Sequence, residues 1–115
     1  MLILRLDAQL YYANALTVRD RIKALVAEAE PKPQALILDA TAQETLDMTS
    51  SDVLRGLVKE LRGQGMVVYT AEVHAPVIEF AAKSGLLDGV GAENIFPTVD
   101  LAVAAFQERQ GQAAP

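Results

Sequence analysis

A single α/β domain with a central mixed or largely parallel sheet is the fold class this sequence predicts, and three observations predict it. Two short apolar runs, "ALILD" (35–39) and "MVVYT" (66–70), are unbroken and end in an acid or a hydroxyl, as strands buried on both faces do. Between and around them lie segments whose apolar residues recur at steps of three and four, the helical period. Glycine and proline punctuate the joins at Pro31, Pro33, Gly63, Gly65 and Gly85. Strands alternating with about four helices in one chain belong to the α/β class.

At the start, "LILRL" (2–6) has strand character and "QLYY" (9–12) continues extended after Asp7-Ala8. Joined without a helix, these two runs are expected to pair as an antiparallel edge. Asn14 is placed to cap the first helix, along which Leu16, Val18, Ile22, Leu25, Val26 and Ala29 form the apolar side. Arg19, Asp20, Arg21, Lys23 and Glu28 make the solvated side. "EPKPQ" (30–34) ends that helix, because proline disfavours the helical conformation at the residue before it. Residues 40–49 form a loop anchored by Leu46, and Val53, Leu54, Leu57, Val58 and Leu61 mark the second helix. "RGQG" (62–65) closes it with a glycine stop. A third helix is expected from Pro76, a good first helical residue, to Ser84-Gly85. Residues 85–96 connect to a short strand near Ile95, and a last helix covers about 99–108. The domain is expected to span residues 1–109, with 110–115 a flexible tail.

Composition narrows the function. The 115 residues, about 12.4 kDa, suit one compact domain. Aliphatic residues dominate the 51% hydrophobic content and tryptophan is absent, which favours a tight core over an aromatic cage. Ten basic against fifteen acidic residues give a formal charge of -5. That balance disfavours a nucleic-acid partner, whose binding rests on cationic side chains, and adhesion to anionic lipid. Without cysteine there is neither a disulfide nor a thiolate metal site. No apolar run approaches the 18 to 20 or so residues of a membrane helix, so this stretch is expected to be soluble. The strand that begins at once with "MLILRL" suits either a very economical protein or a domain cut from a longer one.

In open α/β sheets ligands gather beyond the carboxyl ends of the strands. Those ends carry Asp39, Thr70 and the loops 40–49 and 71–75. The second helix starts beside them, where its first N–H groups lack intrahelical partners and the dipole is positive. Thr49, Ser50 or Ser51 is expected to cap one such donor, with Asp52 favoured in the first turn. The same end could instead receive a phosphate or sulphate, so the hydroxyl cluster supports a cap and a ligand role alike. Asp39 is expected first as a loop-fixing acceptor and second as a group aimed at a ligand. His74, the one histidine, is expected as a solvent-facing loop residue. Of Tyr11 and Tyr12, one is expected to pack inward and the other to lie at the surface. One histidine, no cysteine and no glycine-framed serine leave little for a nucleophilic triad, and no phosphate-binding glycine loop is present. No catalytic or metal-ligating residues are therefore assigned.

Three segments in order, "LILRLDAQLYYANALTVRDRI" (2–22), "ALILDATAQETLDMTSSDVLRGLVKELRGQG" (35–65) and "SGLLDGVGAENIFPTVDLAVAAF" (84–106), resemble a STAS domain. That module is shared by sulphate transporters and anti-sigma-factor antagonists. "YYAN" and "IFPTVDLAV" resemble the transporter branch, the C-terminal domain of bacterial SulP-type anion permeases. The resemblance implies a regulatory and interaction domain on the cytoplasmic side of the membrane, and not an enzyme. It further implies the transmembrane domain of the same transporter or cytosolic regulatory proteins as partners, and nucleotide (GTP or ATP) binding for some members. The antagonist branch offers an alternative, binding to an anti-sigma kinase controlled by phosphorylation in a "DSSG" turn. Here Asp47 matches the acid, Met48 stands at the serine position, Thr49 at the second serine, and Ser50 replaces the glycine. Met48 cannot be phosphorylated, so a switch of that kind would have to use Thr49, Ser50 or Ser51. The candidate regulatory or ligand-binding loop comprises Asp39, Asp47, Thr49, Ser50 and Ser51.

Overall fold

Alternation of apolar strands and amphipathic helices produces a four-stranded sheet wrapped by five helices in the computed structural model, which describes residues 1–113. The strands are β1 (Leu2–Arg5), β2 (Ala35–Asp39), β3 (Val67–Ala71) and β4 (Ile95–Phe96), in the order β1-β2-β3-β4 and parallel throughout. Leu4, Leu38, Thr70 and Ile95 stand in register across it. The helices are α1 (Ala15–Glu28), α2 (Met48–Gly63), α3 (Ala75–Ser84), α4 (Leu86–Val90) and α5 (Val99–Ala113).

Side chains alternate across the strands, so the sheet carries two cores. Leu36, Leu38 and Val68 face one side, where they meet Ile22 and Val26 of α1, Leu57, Val58 and Leu61 of α2, and Leu86 and Val90 of α4. Ile37, Tyr69 and Ala71 face the other side, against Ala102 and Phe106 of α5. Tyr69 and Phe96 meet edge to face there at 4.9 Å. Leu36 and Ile37 are fully enclosed, as expected of a central strand that a helical layer covers on each side.

The expected antiparallel edge does not form. Residues 9–12 are not a strand, and β1 lies parallel to β2. The Asn14 amide closes this segment into a turn: its Oδ1 accepts from the Tyr11 N–H at 2.9 Å and its Nδ2 donates to the Gln9 carbonyl at 3.1 Å. Asn14 thus occupies the N-cap position of α1 without making a side-chain cap. The connection expected over 85–96 contains an additional helix, α4. Gly85, at φ 86°, ends α3 and begins α4 in the left-handed region that glycine tolerates. The Arg62 guanidinium then donates to the Gly89 carbonyl at 2.7 Å and to that of Val90, satisfying the end of this one-turn helix. Helix α5 continues through residues 110–113, where a flexible tail was expected; residues 114–115 lie outside the described residues.

Past the end of β3 the chain makes a sharp exit at Glu72, whose φ of 60° is unusual for a residue with a side chain. Glu72 Oε2 accepts from the Val99 N–H at 3.0 Å, and Thr98 Oγ1 accepts from the Leu101 N–H at 3.1 Å. Together they cap α5, and Glu72 ties that helix to the sheet. Glu72→Ala is expected to cost about 1 kcal/mol in urea denaturation, the usual worth of a helix cap. Glu72→Gly should cost less, because the glycine relaxes the backbone while losing the same acceptor.

Candidate functional site

The carboxyl ends of β1, β2 and β3 open at one rim, where the loop from β1 to α1 meets the loop from β2 to α2. What joins the two loops is a pair of glutamines. Gln43 is 5% exposed, and its Oε1 accepts from the Leu10 N–H at 2.8 Å and from Gln9 Nε2 at 3.2 Å. Its Nε2 donates to the Ala8 carbonyl at 2.7 Å. Gln9 answers from the other side: its Oε1 accepts from the Glu44 N–H at 2.8 Å and its Nε2 donates to the Thr45 carbonyl at 2.8 Å. A buried amide is tolerable only when its donors and acceptors are used, and here they are. The sequence reading missed both residues. Their signal was faint: a polar side chain inside "ATAQETL" beside an apolar Leu46 anchor.

Asp39 fixes its own loop, as one of its two expected roles required. Its Oδ1 accepts from the Thr41 N–H at 2.9 Å and the Thr41 hydroxyl at 2.5 Å. Burial pushes the Asp39 pKa up, but the two Thr41 hydrogen bonds and the nearby Arg5 charge outweigh it and leave the carboxyl below its ordinary value. His74 is exposed and caps the start of α3 by position, yet it is not a free loop residue. Its Nε2 lies 2.7 Å from the Thr41 carbonyl, joining the β2–α2 loop to α3.

At α2 the cap is Asp47, not Thr49, Ser50 or Ser51. The helix begins at Met48, one turn earlier than the apolar periodicity suggested, so the three hydroxyls lie inside its first turn. Asp47 Oδ1 accepts from the Ser50 N–H at 2.7 Å. That bond chiefly holds the Asp47 pKa down, against the opposing effect of burial, with help from the nearby Ser50 hydroxyl and the Tyr12 N–H. The positive end of α2 is therefore met by a carboxylate of the protein itself. Ser50 and Ser51 are 0% and 1% exposed. The Ser51 and Ser84 hydroxyls bond at 2.6 Å, linking α2 to the end of α3, whereas the Ser50 hydroxyl makes no hydrogen bond of proper geometry. Thr49 alone of the three faces solvent.

Asp47 is followed by Met48 and receives the Tyr12 N–H, and both of these neighbours carry exposed side chains. Tyr12 is 73% and Met48 54% exposed, and Tyr11 and Leu16 are also well exposed. Both tyrosines face out, contrary to the expectation that one would pack inward, and their rings meet edge to face at 5.7 Å. The Asn14 turn and the Gln9–Gln43 pair use up the backbone of this segment and leave its rings at the surface. Among the described residues there is no cluster of acids or histidine that could hold a metal, and no helix long and apolar enough to cross a membrane. Beside this apolar corner the buried side-chain polar groups are hydrogen-bonded, apart from the Ser50 hydroxyl.

A family model described as the STAS domain matches residues 1–102. The chain belongs to the STAS domain family. A probable sulfate transporter of Mycobacterium tuberculosis is 33% identical over 109 residues, which span 95% of this chain and 20% of that protein. Sulfate transporter 3.2 of Arabidopsis thaliana is 33% identical over 113 residues, 91% of this chain and 18% of that protein. The chain therefore spans about a fifth of the length of these relatives. The STAS domain of a SulP transporter from Vibrio cholerae shares its fold at a TM-score of 0.76 and 22% identity, covering 96% of this chain and 84% of that one. The murine Slc26a9 anion transporter, in an inward-facing state, contains the same fold at a TM-score of 0.82 and 23% identity, over 92% of this chain and 17% of its own.

Two outcomes test the rim of this STAS domain. Gln43→Leu keeps the bulk but strands the Leu10 N–H and the Ala8 carbonyl, and should lower unfolding stability by about 2 kcal/mol or more. Asp47 has a folded pKa below its unfolded value, so its stabilisation is present above about pH 4 and is lost as pH falls through the folded pKa. Urea midpoints measured downward from pH 6 should fall less steeply in Asp47→Asn than in the unaltered protein.

Proposed function

We propose that this STAS domain is the regulatory and interaction domain of a SulP-type transporter of sulphate or another anion, held on the cytoplasmic side of the membrane. One finding carries the reading: identity of 33% across 95% of the chain to a probable sulfate transporter that is about five times longer. The absence of a membrane-crossing helix among the described residues fits a domain that lies beside the transport path. Its work is contact, with the transmembrane part of the same transporter or with a cytosolic regulator. The exposed corner of Tyr11, Tyr12, Leu16 and Met48 is the surface offered for it. Tyrosine and methionine suit this role, since they bury much apolar area and adapt to a partner.

Two observations weigh against the antagonist alternative. Met48 stands where that branch carries its serine, and burial withdraws Ser50 and Ser51 from any kinase acting on the folded domain. Nucleotide binding at the start of α2 meets a similar obstacle, because Asp47 already occupies the place an incoming phosphate would take. Millimolar GTP or ATP should leave the amide signals of residues 39–52 unmoved; saturable shifts there would make the domain a nucleotide-responsive sensor.

The contact reading is tested in the full-length transporter. Replacing Tyr12 and Met48 together by serine removes two exposed side chains and should spare the fold. Anion uptake into proteoliposomes is expected to change several-fold, with the melting temperature of the isolated domain within a few degrees of the parent. Unaltered uptake would remove this corner from the coupling.

A further inference from the structure

We infer that the cavity between the sheet and helices α2, α3 and α4 is a binding site for the end of an unbranched aliphatic chain. Its wall reaches the rim at Leu10, Gln43 and Leu46, and the proposal goes beyond the contact function proposed above. Its volume is about 80 Å³, and Leu38, Val58, Val77, Ala81, Leu86 and Val90 surround it. Half-buried Leu46, Leu54, Val73 and Ile78 also line it. It lies against the carboxyl-terminal part of β2 and β3, where Leu38, Ala40 and Thr70 contribute to the wall. That is the usual location of ligands on open parallel sheets.

Three features choose the ligand class. First, the wall is almost wholly aliphatic. The Gln43 amide in it is spent on loop backbone, leaving the half-buried Thr70 hydroxyl as the remaining side-chain polar group. An ion or a sugar would lose its hydration without replacement, whereas apolar cavities stay dry and accept apolar guests. Second, the volume is about half that of the ~150 Å³ cavity known to admit benzene, so a slender chain fits and a ring does not. Third, the cavity is not sealed, so the polar end of a chain can remain in water while its last carbons enter among the leucines and valines. The recognised chemistry is that of the hydrocarbon tail alone, whether free acid or alcohol.

The test is a titration of the methyl-labelled domain with straight-chain carboxylates from butanoate to decanoate, and with the matching alcohols, followed by NMR. Saturable shifts should concentrate on the methyl groups of Leu38, Val58, Val77, Ile78 and Leu86. Affinity should rise about fourfold for each added methylene until the cavity is full, then level off. Acids and alcohols of equal length should bind within a few-fold of each other. Ala81→Leu, which fills the space, should weaken binding at least tenfold. In case that variant does not fold, 3,3-dimethylbutanoate offers a control on the unaltered protein, since its bulky end should bind at least tenfold more weakly than hexanoate. Xenon entry without chain binding would reduce the cavity to a packing gap and overturn the proposal. So would shifts spread over the surface, or an affinity that does not depend on chain shape.

Discussion

The buried amide of Gln43 is the interaction on which the working end of this domain depends. Two loops leave neighbouring parallel strands and neither has a sheet partner for its backbone. Gln43 supplies an acceptor for the Leu10 N–H and a donor for the Ala8 carbonyl, while Gln9 does the same for residues 44 and 45. A buried polar group left unpaired costs more than a made hydrogen bond contributes, so the two loops hold or fail together. Their union sets where Tyr11 and Tyr12 point and where Asp47 stands at the head of α2.

Asp47 then settles the character of that helix end. A helix start attracts anions by its free N–H groups and its dipole, and the protein meets that attraction with its own carboxylate. Of the hydroxyls that follow, Ser51 joins Ser84 and Ser50 lies sealed in the first turn, while Thr49 faces solvent. The residue types that would suit an anion cradle or a phosphate switch are present, and the structure uses Asp47 as the cap of the helix on which they stand. Also outward are the apolar Met48 and the tyrosines, and this fits a domain whose relatives are parts of much longer transporters.

Much of the fold was legible because its signals are local. "ALILD" and "MVVYT" became β2 and β3 within a residue, and the proline and glycine stops bounded α1 and α2. The errors have physical causes. "QLYY" has the composition of a strand, but the Asn14 amide closes it into a turn, a contact that β propensity does not register. Helix α4 is five residues long, too short to show a period, and depends on Arg62 from a distant part of the chain. At the rim, Asp39 was visible as an acid ending a strand, whereas Asp47 entered only through the family resemblance and the cap was expected among Thr49, Ser50 and Ser51. Gln9 and Gln43 were not visible, because their role exists only once two loops 34 residues apart are brought together. The aliphatic cavity was equally hidden, since the residues around it look individually like ordinary core.

The most direct measurement is an immunoblot of native membrane and soluble fractions with an antibody raised against this domain. A band far heavier than 12.4 kDa, confined to the membrane fraction, is the result predicted for a domain of a SulP-type transporter. A band near 12 kDa in the soluble fraction alone would contradict it and leave a free-standing STAS protein.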